Sequence, residues 1–364
     1  LDNRHLAIVL FFRAPLGGLQ ENILATARFA KAEGWRVTVF CPDGPFLRNY
    51  IIPSGIEGVS VDFSSDESTQ KALTSLCSAT VIHAHPGPSR VLALQASQES
   101  AAPVFFTIHG RWFDGVQQFA EKLAGIICVS PAVFDEVNRQ CPGVTDRIFS
   151  VPNGVNCESF PEAPILTSGK HQTVAVVSRL DADKQLVVET VAALWREQAA
   201  RGLTSPKWIV AGDGTLMHQL ILAASELNHG KADPVVEFLG WQPSEKLSSI
   251  YAGSDLVLGS GRCAIEALSI GRPSIAIASA GVVSATNPMQ FKVAAHSNFG
   301  GYGCGPSPSI SEILDEVLDV LAKPDPHFSD DACRFVREHH DNSVVNRRLL
   351  DLYDASTRFT HHFD

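Results

Sequence analysis

No CxxC pair occurs among the eight cysteines, Cys41, Cys77, Cys128, Cys141, Cys157, Cys263, Cys304 and Cys333. Several of them lie in apolar runs that read as core, so a reduced, intracellular setting is expected. A basic surplus is lacking as well. The 29 Lys and Arg residues face 39 Asp and Glu residues, a net charge of −10, which argues against a nucleic-acid partner. No uninterrupted apolar stretch is long enough to span a bilayer, and no signal-peptide pattern is present. A cytoplasmic protein is expected, with peripheral contact at the inner face of the membrane left open because an amphipathic patch escapes hydropathy. Ser-His-Asp order, GxSxG and paired carboxylates are absent, which sets a hydrolase aside.

What is present fits two ordinary domains. The chain has 364 residues, 45% of them hydrophobic and 19% charged, enough for two buried cores. The first half alternates short apolar runs with helical patterns. LAIVLFF (6–12), WRVTVFCP, ATVIHAH, PVFFTIHG and GIICVS read as strands, and GLQENILATARFAKAEG reads as an amphipathic helix. That alternation implies parallel strands joined by right-handed crossovers. The rhythm breaks around residues 151–172, VPNGVNCESFPEAPILTSGKHQ, and restarts with TVAVVSRL. The boundary is therefore placed at residues 160/161, with a second α/β domain over 161–334 and a helical tail over 335–364. In doubly wound sheets, ligands bind at the carboxyl ends of strands, so the loops that follow the strands are the ones to inspect.

The segment SRLDADKQ (178–185) is the most informative of these loops. Asp181 or Asp183 is expected to cap the following helix, which puts Lys184 in its first turn and Arg179 just before it. Two cations at a helix N-terminus oppose the helix dipole unless an anion joins them, and a diphosphate would suit that position; solvated cations paired with the neighbouring aspartates are the alternative. Asp181-Ala-Asp183 also mimics a metal-binding DxD, but capping accounts for one aspartate, and no cluster elsewhere has metal-ligand spacing. No metal is expected. In LGSGRCAIEALSIGRPS (258–274), the glycines allow a ligand to approach a helix beginning near Arg262, and Glu266 one turn inside could accept from vicinal hydroxyls. A plain turn and a surface glutamate remain the alternative. Gly17-Gly18 ends the first strand's loop, and Arg13 could face a ligand from there. His109 ends a strand where a ligand-binding imidazole would sit. His83 and His85 are two residues apart and share a face, and each is read as a satisfied histidine.

Taken in order, these segments resemble the family-four retaining glycosyltransferases of GT-B fold. The matching pieces are the Gly17-Gly18 loop, VIHAH, FTIHG, ICVS, VPNGVN, VVSRLDADKQ, IVAGDG, VEFLGWQPSEKLSSIYAGSDLVL and IEALSIGRPSIAI. The resemblance implies two Rossmann-like domains facing a cleft, the first for the acceptor and the second for the nucleotide sugar, with the C-terminal helix crossing back to the first domain. By the same resemblance, Arg179 and Lys184 hold the donor diphosphate and Glu266 grips the ribose. His109 lies near the transferred sugar, Gly17-Gly18 closes on the phosphates, and the segment at Trp241 and Gln242 meets the base. The implied reaction is hexosyl transfer with retention, without metal or other cofactor, from a nucleoside-diphosphate sugar to a hydroxyl on a glycan, lipid or small molecule. UDP is expected ahead of GDP. The sequence departs from the family at one place. The family's first glutamate lies eight positions before the second, and here that position is Leu258. Gly259-Ser260-Gly261-Arg262 follows, with Gly261 and Arg262 expected at the donor and Arg262 as the residue that compensates. The missing acid motivates a second reading, a non-catalytic nucleotide-sugar-binding subunit, and a GT-B-like epimerase acting on the donor is a third.

Overall fold

The computed structural model describes residues 4–13, 16–163, 172–230 and 233–360. Residues 164–171 of the expected boundary segment, and residues 14 and 15 of the loop before Gly17, lie outside the described residues. The chain divides into two compact units, residues 1–154 with 342–364, and residues 155–341.

In the first unit, short strands alternate with helices. They are β1 (His5–Val9), α1 (Gly18–Ala32), β2 (Arg36–Cys41), β3 (Glu57–Ser60), α2 (Asp66–Leu76), β4 (Val81–Ala84), α3 (Pro88–Ser100), β5 (Val104–Ile108), β6 (Gly125–Cys128), α4 (Pro131–Gln140) and β7 (Ile148–Ser150). The sheet order is β3-β2-β1-β4-β5-β6-β7, with every pairing parallel. Apolar residues on both faces of β1 and β5 are buried throughout, as a sheet covered by helices on both sides requires.

In the second unit the elements are β8 (Thr173–Val177), α5 (Gln185–Ala200), β9 (Lys207–Ala211), α6 (Met217–Asn228), β10 (Val236–Gly240), α7 (Ser244–Ala252), β11 (Leu256–Gly259), α8 (Arg262–Ser269), β12 (Ser274–Ala278), β13 (Gly281–Ala285), α9 (Pro288–His296), α10 (Ile310–Ala322) and α11 (Phe328–His339). The order is β10-β9-β8-β11-β12-β13, parallel except for β13, which returns antiparallel beside β12. Ser279 and Ala280 turn the chain into β13, whose first residue, Gly281, has φ 146°. The final helix, α12 (Asn342–Thr360), belongs to the first unit. Its Val345, Leu349, Leu350 and Tyr353 join the core formed by β1, α1 and β2.

The units therefore meet in sequence at Gly154/Val155 and Asp341/Asn342, not at 160/161 and 334/335. Packing explains both shifts. Phe160 is buried against Tyr251 and Ala175 in the second unit. Ala332 and Val336 of α11 are buried against Ala264 and Leu268 of α8.

Candidate functional site

Strand order reverses between β1 and β4 in the first sheet and between β8 and β11 in the second. At such a point neighbouring loops leave the sheet toward opposite faces and open a crevice at the carboxyl edge. The residues singled out in the sequence lie at the carboxyl edge of one sheet or the other.

In the second sheet, Gly259 pairs with Val177, so the loops after β11 and β8 leave the sheet side by side. The loop after β9 joins them. A Cβ on Gly212 would lie 1.8 Å from the Ser178 carbonyl oxygen, which keeps this position glycine. Arg179 is 58% exposed at its side chain and pairs with Asp181 at 3.0 Å and Asp183 at 2.8 Å. Lys184 Nζ lies 3.8 Å from Asp183. The Thr215 backbone N–H, then Arg179, hold the Asp181 carboxyl below its usual range. The aspartates thus do not cap α5. Asp181 precedes a short 3-10 turn without a side-chain cap, and Lys184 is itself the N-cap residue of α5 rather than part of its first turn. Ion pairing with the guanidinium competes better for these carboxylates than capping does.

Gly261 begins α8 with φ 53° and ψ −115°, a conformation open to glycine, and its N–H donates to the Phe299 carbonyl at 3.0 Å. Glu266 is only 4% exposed, so it is not a surface glutamate. Arg262 Nε donates to its Oε1 at 2.7 Å, and the Tyr251 hydroxyl donates to its Oε2 at 2.9 Å. Burial raises the Tyr251 hydroxyl well above its ordinary pKa, so it stays a donor. Arg262 pairs with Glu266, as their four-residue spacing on one helix permits. Leu258 is fully buried in β11, and an acidic side chain there would lie in the core. Trp241 is 65% exposed, and Gln242 Nε2 donates to the Leu239 carbonyl at 2.6 Å.

In the first sheet, Gly17 is the N-cap residue of α1. Gly18 is exposed, and a Cβ there would meet nothing within 4 Å. Arg13 is exposed in the same loop. His109 follows β5, beside two residues that the sequence alone presents as satisfied histidines. The imidazoles of His83 and His85 stack, with centroids 4.9 Å and planes 25° apart, while those of His85 and His109 meet edge to edge, with centroids 5.0 Å and planes 24° apart. His85 Nδ1 and His109 Nε2 are hydrogen-bonded at 2.8 Å. His83 Nε2 lies 2.6 Å from Thr107 Oγ1, and its Nδ1 lies 2.6 Å from the Tyr353 hydroxyl of α12. Burial pushes His83 down to about 3 and His109 down to about 4, and lowers His85 too, so the three rings are neutral at pH 7. The HxH spacing is the available signal; its join to His109 needs the register of β4 and β5. Among the described residues no group of three or more His, Cys, Asp or Glu side chains is arranged to hold a metal ion. Among them, too, no helix is long and apolar enough to cross a membrane.

Residues 16–159 match the family model described as Glycosyltransferase Family 4. The chain is 25% identical over 202 residues to the phosphatidyl-myo-inositol mannosyltransferase of Mycolicibacterium smegmatis, covering 49% of this chain and 51% of that protein. It is 26% identical over 275 residues to a phosphatidylinositol N-acetylglucosaminyltransferase component of Arabidopsis thaliana, covering 71% and 54%. The chain spans about half the length of the curated relatives it matches. Among solved structures it is similar to a glycosyltransferase from Rickettsia africae, with TM-score 0.76, 14% identity and 98% and 99% coverage. It is also similar to Anabaena HepE in complex with UDP and glucose, with TM-score 0.72, 16% identity and 97% and 100% coverage. At those identities the likeness establishes the fold, which is GT-B with two Rossmann-like domains. The family-four glycosyltransferase model thus matches part of the first unit, and the GT-B fold extends over both.

Proposed function

We propose that this protein transfers a hexosyl group from a nucleoside-diphosphate sugar, UDP ahead of GDP, to an acceptor hydroxyl with retention of configuration. The observation that carries the reading is the shared carboxyl edge of β8 and β11, where Arg179 and Lys184 precede α5 and Glu266 sits inside α8. Departure of the nucleoside diphosphate builds charge on its β-phosphate. Arg179 and Lys184 would stabilise that charge in place, without a metal. Their present aspartate partners do not prevent this. Exposed ion pairs of this kind are worth about 0–1 kcal/mol, so a phosphate carrying two charges can displace them. Glu266, oriented by Arg262 and Tyr251, would receive the ribose hydroxyls, and the backbone at Trp241 and Gln242 would meet the base. Gly17 and Gly18, the latter with open space beside it, would approach the phosphates, and His109 the transferred sugar. Same-face attack within an ion pair needs no enzyme nucleophile, and no residue is assigned that role.

Acceptor binding is assigned to the first unit. The phosphatidylinositol named in the relatives makes a lipid-borne polyol hydroxyl the first acceptor class to test, at the inner face of a membrane. One observation favours a second reading, a nucleotide-sugar-binding subunit without activity: the family's first acidic position is filled by the buried Leu258. A thermal-shift screen of nucleoside diphosphates and their sugars tests donor binding, because a ligand of the folded state raises Tm. An NMR time course with and without acceptor then separates the cases. Acceptor-dependent release of nucleoside diphosphate supports transfer, binding without release supports the non-catalytic reading, and donor consumption without acceptor supports an epimerase. No shift with any nucleotide would overturn the proposal.

A further inference from the structure

We infer that His85 donates its Nδ1 hydrogen to His109 Nε2 and so holds His109 as the Nδ1–H tautomer. His109 then meets its ligand as a hydrogen-bond donor and not as a base, and His85 is its positioning residue. The meaning for sugar transfer rests on the function proposed above; the tautomer itself does not.

The direction of the hydrogen bonds starts at Tyr353. Its hydroxyl is buried, and among the described residues its one hydrogen-bond partner is His83 Nδ1 at 2.6 Å. A buried O–H without an acceptor costs about 1–3 kcal/mol, so Tyr353 donates and His83 Nδ1 accepts. The hydrogen of His83 is then on Nε2, and it is donated to Thr107 Oγ1 at 2.6 Å. Thr107, having accepted, keeps its hydroxyl hydrogen to give.

His85 has two ways to bond His109. If His109 Nε2–H donated to His85 Nδ1, the hydrogen of His85 would be on Nε2. That nitrogen has no hydrogen-bond partner among the described residues, and the ring is buried. If instead His85 Nδ1–H donates, the orphan on Nε2 is a lone pair, which is tolerated better than an orphan N–H. The surroundings favour a lone pair as well. His85 and Thr107 line one cavity of about 10 Å³, room for about one water, together with Asn22, Thr26 and Val345. The hydrogen that Thr107 has to give suits an acceptor across that space. His109 Nε2 therefore accepts and its hydrogen resides on Nδ1, a nitrogen without a partner among the described residues; His109 is only half-buried, so an N–H there is not stranded as one on the buried His85 Nε2 would be.

The arrangement is held from both ends: His85 lies against His83, His83 is anchored to α12 through Tyr353, and His109 cannot turn without breaking its edge-to-edge hydrogen bond to His85.

The test is a long-range proton–nitrogen NMR correlation on the whole chain with 15N-labelled histidine, without donor or acceptor, with the His109 signals assigned from their loss in His109→Gln. The expected pattern for His109 is a pyrrole-type Nδ1 and a pyridine-type Nε2; the reverse pattern overturns the inference. In His85→Phe, which keeps a ring against His83 and removes the donor, His109 is expected to move to the Nε2–H form. An unchanged Nδ1–H form would remove His85 as its cause. The wild-type spectrum decides even if that variant fails to fold. Because no substrate is present, the expected spectrum from a chain that transfers no sugar would refute the proposed function and leave this inference standing.

Discussion

Acidification should weaken the first unit through its histidine column. His83 and His109 titrate at about 3 and about 4 when folded, against about 6.5 for an unperturbed histidine. Their folded pKa values are lowered, so between pH 6.5 and 4 the unfolded chain binds the protons first. Stability contributed by each ring is thus fully present above pH 6.5 and is lost as pH falls toward the folded value. At pH 5 the loss depends almost wholly on the unfolded value, since both folded rings are still neutral. A gap of about 1.5 pH units at about 1.4 kcal/mol per unit gives about 2 kcal/mol for each histidine. The two together cost about 4 kcal/mol, a large share of the roughly 5–15 kcal/mol that typically separates folded from unfolded. Carboxylates also titrate near pH 5, so the clean measurement is a difference. In His83→Phe the loss between pH 7.5 and pH 5 should be smaller than in the wild type by about 2 kcal/mol. Urea unfolding read by hydrogen exchange on peptides covering β4 and β5 isolates the first unit from the second. An equal pH dependence in the two proteins would refute the reasoning.

Three further outcomes follow from the packing. Tyr251→Phe removes the hydroxyl that donates to Glu266, which should cost about 1–3 kcal/mol of stability and weaken nucleotide-sugar binding by calorimetry, because the carboxylate loses one of its anchors. Phe160→Ala should destabilise the second unit by about 3–5 kcal/mol and leave hydrogen exchange in the first unchanged, as expected if residues 155–160 belong with the second. Gly212→Ala drives a methyl group into the Ser178 carbonyl; it should displace the Arg179 loop and lower donor affinity more than it lowers Tm, which paired calorimetry and melting would show.

Much of the architecture is legible in the sequence because each strand is a short apolar run, and glycine, histidine or arginine often stands close behind it. Those residues mark strand ends, and in a doubly wound sheet strand ends are where ligands bind. The alternation of strands and helices carries the two domains for the same reason. What is not legible depends on contacts distant in sequence. Val155 and Phe160 read as linker until the second unit closes around them. β13 pairs antiparallel beside β12, a pairing that depends on a partner strand and not on its own residues alone. Arg262 and Glu266 have helical pairing spacing, yet Tyr251, which also anchors the carboxylate, comes from the helix before β11. His83 and His85 read as ordinary buried histidines because nothing local shows that β4 and β5 bring His85 against His109.

The central claim is that the cations preceding α5 stabilise a departing nucleoside diphosphate. It is tested most directly by Lys184→Ala at saturating nucleotide sugar, with the variant's Tm matched to the wild type. The account predicts acceptor-dependent release of nucleoside diphosphate by the wild type and none by the variant. Near-normal turnover in Lys184→Ala would contradict it.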